Sequence, residues 1–95
     1  MEYQFVPYEL SYKLKDKGFD EECLAYYSSN GDLMPKKDRT LKSGIKEIDL
    51  HESNILAPLY QQIIDWFGVK YGIHISYLET KDEVNNQIKI ALNHI

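Results

Sequence analysis

Residues 58–71, PLYQQIIDWFGVKY, carry the clearest periodic pattern in the chain. Their apolar side chains recur at the three- and four-residue spacing of one helical face, which predicts an amphipathic helix. Gly68 lies inside this pattern, so we expect either a close backbone approach there or a weakening of roughly 1 kcal/mol relative to alanine. Gly72 provides a C-terminal stop. The predicted apolar stripe consists of Leu59, Ile63, Trp66, Phe67 and Tyr71.

A second helix is predicted over residues 7–17, because apolar residues recur there at a spacing of four. The Gly18-Phe19 pair that follows predicts a Schellman-type stop, in which Phe19 folds back on Leu14. The apolar face of this helix consists of Val6, Leu10 and Leu14.

A third helix is predicted after the capping box formed by Thr80 and Glu83, which precedes an apolar run. Its apolar positions share one helical face to the last residue. They are Val84, Ile88, Ala91, Leu92 and Ile95.

Strands are predicted in the segments between these helices. Residues 23–29, CLAYYSS, read as a strand with two sides apolar enough to be covered, followed by an Asn30-Gly31 hairpin turn of type I′ and a return strand over residues 32–34. Residues 45–50 fit an edge strand and an irregular segment equally well, whereas residues 73–78 show half-buried strand alternation.

These elements predict an α+β, two-layer domain in which about three helices pack on one face of a small, mostly antiparallel sheet. Accessible-surface scaling allows one core at this length, so we expect residues 1–95 to form a single globular domain. Residues 36–46 are predicted to form a flexible basic loop within it.

The composition excludes several classes of protein. The formal net charge is -4, no apolar run is long enough to span a bilayer, and residues 1–10 lack the pattern of a secretory signal. A single cysteine excludes an intrachain disulfide. We therefore expect a cytoplasmic protein that does not contact the membrane.

Catalytic and metal chemistry find little support. Cys23 follows three carboxylates, which disfavour the thiolate that a nucleophile needs, so a buried structural cysteine is the favoured interpretation. The three histidines, His51, His74 and His94, show no metal-ligand spacing, and the glycines form no phosphate-binding loop. We therefore expect no catalytic residue, cofactor or metal. A small hydrolase or transferase centred on Cys23 or His51 is a third hypothesis, which requires the two side chains to meet in one pocket.

The stretch KKDRTLKSGIK at residues 36–46 is the one local charge asymmetry. A solvated loop is the favoured interpretation, because nucleic-acid binders usually show a basic excess over the whole domain. The alternative function is a nucleic-acid-associated accessory protein whose loop contacts phosphates. The cations available for those contacts are Lys36, Lys37, Arg39, Lys42 and Lys46.

Aromatic residues make up 13% of the chain, and eight of them are tyrosines. Tyrosine and tryptophan are enriched in interface cores, so Tyr60, Trp66 and Tyr77 are candidate contact residues if they are partly exposed. Together with the lack of a catalytic pattern, this favours a non-enzymatic interaction module that binds a protein partner or forms a homodimer.

Two stretches, VPYELSYKLKDKGFDEECLAYY at 6–27 and APLYQQIIDWFGVKYGIHISY at 57–77, carry a family resemblance. They resemble a family of small uncharacterised proteins encoded by phages and prophage-like mobile elements of Bacteroidetes-type bacteria. The resemblance covers about half of the chain, and it departs from the family pattern at Gly68-Val69 and in residues 36–50. It implies a mobile-element setting and no activity, cofactor or catalytic residue.

Overall fold

The computed structural model describes residues 5–35, Ile45, Leu50, 53–76 and 80–95. In these parts of the chain, three strands form one antiparallel sheet in the order β2-β1-β3. Together with three helices they make a small α+β domain, as predicted from the sequence. The elements are α1 (Tyr8–Asp16), β1 (Ala25–Tyr27), β2 (Leu33–Pro35), β3 (Ile55–Ala57), α2 (Tyr60–Tyr71) and α3 (Lys81–Asn93).

The predicted first helix and its stop are confirmed. Gly18 adopts a positive φ of 93°, and the Phe19 N–H donates to the Leu14 carbonyl while the Gly18 N–H donates to the Lys15 carbonyl. These two bonds define a Schellman motif and satisfy carbonyls that the helix end would otherwise leave unpaired. Phe19 is buried in the same core as Leu14.

The hairpin forms between β1 and β2, but its turn is not type I′. The Gly31 N–H donates to the Ser28 carbonyl, and the Ser28 N–H donates to the Asp32 carbonyl. Gly31 has φ 86°, whereas no described non-glycine residue, Asn30 included, has a positive φ. This is the three-residue hairpin loop in which a tight turn is followed by a left-handed glycine, so only one position needs positive φ.

The strand β3 was absent from the sequence-based prediction, although all three of its residues are buried. It pairs with β1 along the edge opposite β2. The expectation that both sides of β1 are covered is wrong, because Leu24 is 56% exposed and Tyr26 is half-buried. The covered side carries Ala25 and Tyr27.

The helix α2 buries the middle of its predicted apolar stripe, whereas Tyr71 at the end of that stripe is 37% exposed. Ile63 and Phe67 are fully buried, and the Trp66 ring packs edge-on against the Phe19 ring with centroids 5.6 Å apart. Burial of each such side chain stabilises the fold by roughly 1.5–3 kcal/mol. Gly72 ends the helix in the left-handed conformation, as predicted.

The helix α3 begins where the capping box predicted, because Thr80 Oγ1 accepts a hydrogen bond from the Glu83 N–H. Four of the five residues of its predicted apolar face are buried and Ile95 is partly buried, and α1 contacts both α3 and β3. Of the segment 45–50, Ile45 pairs with Cys23 through two backbone hydrogen bonds of 2.7 and 2.9 Å. The basic stretch 36–46 otherwise lies outside the described residues.

Residues 73–76 do not form the strand predicted from their alternation. Ile75 is buried and His74 is exposed, as a strand would require, yet no strand among the described residues pairs with this segment; residues 77–78 of the predicted strand lie outside them. The backbone of Ser76 is instead bonded by the side-chain amide of Gln87 on α3. Alternating burial reports which side chains face the core, but it does not report what pairs with the backbone.

Candidate interaction site

Two concave surfaces lie on either side of residues 73–75, which form their common wall. The larger, of about 530 Å³, lies toward α2 and is called the α2 pocket. The smaller, of about 240 Å³, lies toward α3 and is called the α3 pocket. Among the described residues, the α2 pocket is also lined by Ile64, Asp65, Gly68, Val69 and Gly72, and the α3 pocket by Gln87, Ile90, Ala91 and His94.

The rims of these pockets expose large apolar side chains. Val69 is 91% exposed and lines the α2 pocket, and Ile90 is 58% exposed and lines the α3 pocket. Single exposed apolar residues are ordinary, but these two flank concave surfaces that share the wall of residues 73–75. Each pocket combines an exposed apolar side chain with a few polar ones, which is the composition of a binding surface.

Gly68 contributes open space to the α2 pocket. A Cβ atom built at this glycine would have no atom within 4 Å, apart from its chain neighbours and the backbone of its own helix. No close backbone approach within the described chain therefore accounts for the glycine, contrary to the first of the two sequence-based expectations. The expected weakening of the helix stands as the alternative.

His74 is the polar side chain of the common wall, and Ser76 follows that wall directly. The Ser76 hydroxyl lies 3.3 Å from His74 Nε2, and His74 lines both pockets. A serine next to a histidine is the beginning of a nucleophile-base pair, but such catalysis also needs a group that orients the base. Within the described parts of the chain, His74 makes no hydrogen bond to a carboxylate.

Of the three predicted contact residues, two belong to the core. Tyr60 is 3% exposed and Trp66 is 5% exposed, so the exposure that an interface role required is not met. The Tyr60 hydroxyl donates to Asn85 Oδ1 at 2.9 Å, which satisfies the polar end of a buried ring. Tyr77 lies outside the described residues.

Cys23 is a buried thiol, as the structural interpretation predicted. Its Sγ lies 3.4 Å from the Glu21 carbonyl and 3.7 Å from Gln62 Oε1. Burial raises the pKa of this thiol from 9.0 to about 12; the Gln62 hydrogen bond lowers it, and the Glu21 carboxylate raises it. A thiol with such a pKa is protonated at neutral pH and is a poor nucleophile.

Most of the other residues predicted to take part in catalysis or binding lie outside the described residues. His51, which the hydrolase hypothesis would bring to Cys23, is not among the described residues. Nor are the five cations of the nucleic-acid hypothesis, Lys36, Lys37, Arg39, Lys42 and Lys46, so that function stays a prediction. In the part of the chain that is described, no three His, Cys, Asp or Glu side chains converge to hold a metal, and no helix is long and apolar enough to cross a bilayer.

The pockets were not predicted from the sequence, although a signal for each of the two rims was present. Val69 falls outside the apolar stripe that contains Trp66 and Phe67, so it must face away from the core. Ile90 likewise lies off the α3 face that contains Ile88 and Ala91. What the sequence does not contain is the position of residues 73–75 between the two helices.

Comparisons with known proteins identify no relative: no family model, no curated protein and no solved structure matches this chain.

Proposed function

We propose that this protein is a non-enzymatic protein-protein interaction module that binds its partner, or a second copy of itself, at the α2 and α3 pockets. The observation that supports the proposal is the pair of exposed apolar rims, Val69 and Ile90, beside two adjacent pockets. Burying such side chains against a partner removes apolar surface from water, which is the main favourable term in protein association.

The polar groups of the site suit a protein partner. His74 and Asp65 lie among apolar residues of the α2 pocket, and His94 lies at the α3 pocket. A few polar groups within an apolar patch give orientation and specificity to a contact whose affinity comes from the apolar part. The apolar rims therefore account for affinity in this proposal, and the imidazoles account for selectivity.

The setting of the function is also a proposal. The resemblance of residues 6–27 and 57–77 to phage and prophage proteins supports an origin in a mobile element, and the net charge of -4 is compatible with a cytoplasmic protein. A partner encoded by the same element or by its host satisfies this proposal.

The experiment compares the full-length chain with the double variant Val69→Arg, Ile90→Arg in lysate of the native host. Sedimentation velocity of the fluorescently labelled chain reports whether it travels in a species larger than the monomer. Both substitutions fall on exposed positions, so we expect the free energy of unfolding to change by about 0.5 kcal/mol or less at each. We expect the double variant to sediment as a monomer.

The matched control is Asp16→Arg, at an exposed position on α1 that lines neither pocket. It raises the net charge by two, as the double variant does, so it separates loss of the apolar rims from a general charge effect. We expect it to retain the larger species. A monomer in the unmodified chain, or a larger species that survives the double substitution, would contradict the proposal.

A further inference from the structure

One side-chain amide makes both backbone hydrogen bonds of Ser76, at the end of the segment 73–76. The Ser76 N–H donates to Gln87 Oε1 at 3.0 Å, and Gln87 Nε2 donates to the Ser76 carbonyl at 2.9 Å. In an extended chain the N–H and C=O of one residue point to the same edge, so one side-chain amide can bond both. Gln87 thus makes the pair of bonds that a residue of an adjacent antiparallel strand would make.

The other backbone anchor of this segment lies at its opposite end. The Ile73 N–H donates to the Phe67 carbonyl of α2 at 3.1 Å, directly after the left-handed Gly72. Between these anchors, Ile75 packs its side chain into the core with 3% of its surface exposed. The wall of residues 73–75 is therefore held by α2 at Ile73 and by α3 through Ser76, the residue that follows it.

We infer that Gln87, through its two hydrogen bonds to Ser76, is the positioning residue that holds residues 73–75 as the common wall of the two pockets and thereby controls the shape of the interaction site. The importance of this control for binding rests on the proposed function. The side chain of Gln87 bonds the backbone of Ser76. The shape of the site therefore depends on Gln87 whatever the partner is. Loss of the amide frees the Ser76 end of the wall while α2 and α3 keep their own core contacts.

The experiment measures amide hydrogen exchange by NMR in the full-length chain and in two variants. Gln87→Met keeps the length and removes both hydrogen bonds, whereas Gln87→Asn keeps the amide and shortens its reach by one methylene. We expect the Ser76 amide to exchange about tenfold faster or more in both variants, because the bond that protects it is lost. The Phe19 and Ile63 amides donate to the Leu14 and Leu59 carbonyls. We expect them to keep their protection from exchange.

The control is Asn86→Met, at the exposed neighbouring position on the same helix, which we expect to leave the Ser76 amide unchanged. A second readout is the yield of photocrosslinks from a benzophenone side chain placed at position 69, in the place of Val69. We expect this yield to fall when Gln87→Met is added. The melting temperature of the Gln87→Met variant is expected to stay close to that of the parent. Unchanged exchange at Ser76, or unchanged crosslinking despite faster exchange, overturns the inference and leaves the interaction module standing. If the parent chain forms no crosslink at Val69, the proposed function fails, and the exchange rates alone decide whether Gln87 holds the wall.

Discussion

The hydroxyl of Tyr27 on β1 donates a 2.7 Å hydrogen bond to the backbone carbonyl of Val6, the residue before Pro7 at the start of α1. The Ser11 hydroxyl donates to the same carbonyl at 3.1 Å, and all three residues are buried. One carbonyl oxygen thus joins the sheet to the first helix and uses both of its lone pairs. The polar side-chain atoms of this junction therefore have hydrogen-bond partners within the protein, as buried polar groups require.

Substitution of Tyr27 by phenylalanine tests the strength of that junction. We expect Tyr27→Phe to lower the free energy of unfolding by about 1 kcal/mol, the typical net contribution of one buried hydrogen bond, because the Val6 carbonyl keeps its bond from Ser11. Urea denaturation measures the change. Tyr26→Phe, at a half-buried position on the same strand, is the control and is expected to cost less. Equal effects at the two positions would contradict the assignment.

Substitution of Gly68 by alanine tests whether the glycine serves folding. Because a Cβ atom there meets nothing within 4 Å and the φ of Gly68 is not positive, we expect Gly68→Ala to raise the free energy of unfolding by about 0.5–1 kcal/mol. Thermal denaturation followed by circular dichroism measures this change. The control is Gly72→Ala, which we expect to destabilise because Gly72 has φ 67°. A destabilised Gly68→Ala would mean that the space above this glycine is needed by the fold.

The thiol of Cys23 makes the free energy of unfolding depend on pH in the alkaline range. Its pKa is raised from 9.0 to about 12 in the folded chain, so between these values the folded state holds a proton that the unfolded state has released. Stability is therefore full below about pH 9 and falls as pH rises, by at most about 1.4 kcal/mol per pH unit from this group. Urea denaturation of the parent and of Cys23→Ala at several pH values measures the difference.

In the Cys23→Ala variant we expect this part of the alkaline slope to disappear. The same burial predicts that iodoacetamide does not modify the native chain at neutral pH within the time that modifies the urea-unfolded chain. Rapid alkylation of the native chain would contradict the burial of Cys23.

The helices were predictable because their signals are local and agree with one another. In α1, the spacing of Leu10 and Leu14 and the following Gly18 indicate the same end point. In α3, Thr80 bonds the Glu83 N–H within a single turn, and the apolar run begins directly afterwards. Each of these features is contained in a few consecutive residues, so no tertiary information was needed.

The sheet and the candidate site depend on contacts between distant parts of the chain. β3 has only three residues, Ile55–Ala57, directly before Pro58, which is too short to show a period of two. Residues 73–76 alternate as a strand does, but their backbone partner is Gln87, eleven residues after Ser76. Tyr60 and Trp66 were candidates for an interface because residue type does not separate core from contact surface. Their burial does.

The central claim is that the surface around Val69 binds another protein chain. The most direct measurement places a benzophenone amino acid at Val69 in the full-length protein, irradiates it in the native host, and maps the crosslinked peptides by mass spectrometry. The same amino acid at Lys13, an exposed position on α1, is the control. We predict one dominant crosslinked partner, another protein or a second copy of this chain, from Val69 and not from Lys13. Equal, unselective crosslinking from both positions, or none from Val69, would contradict the claim.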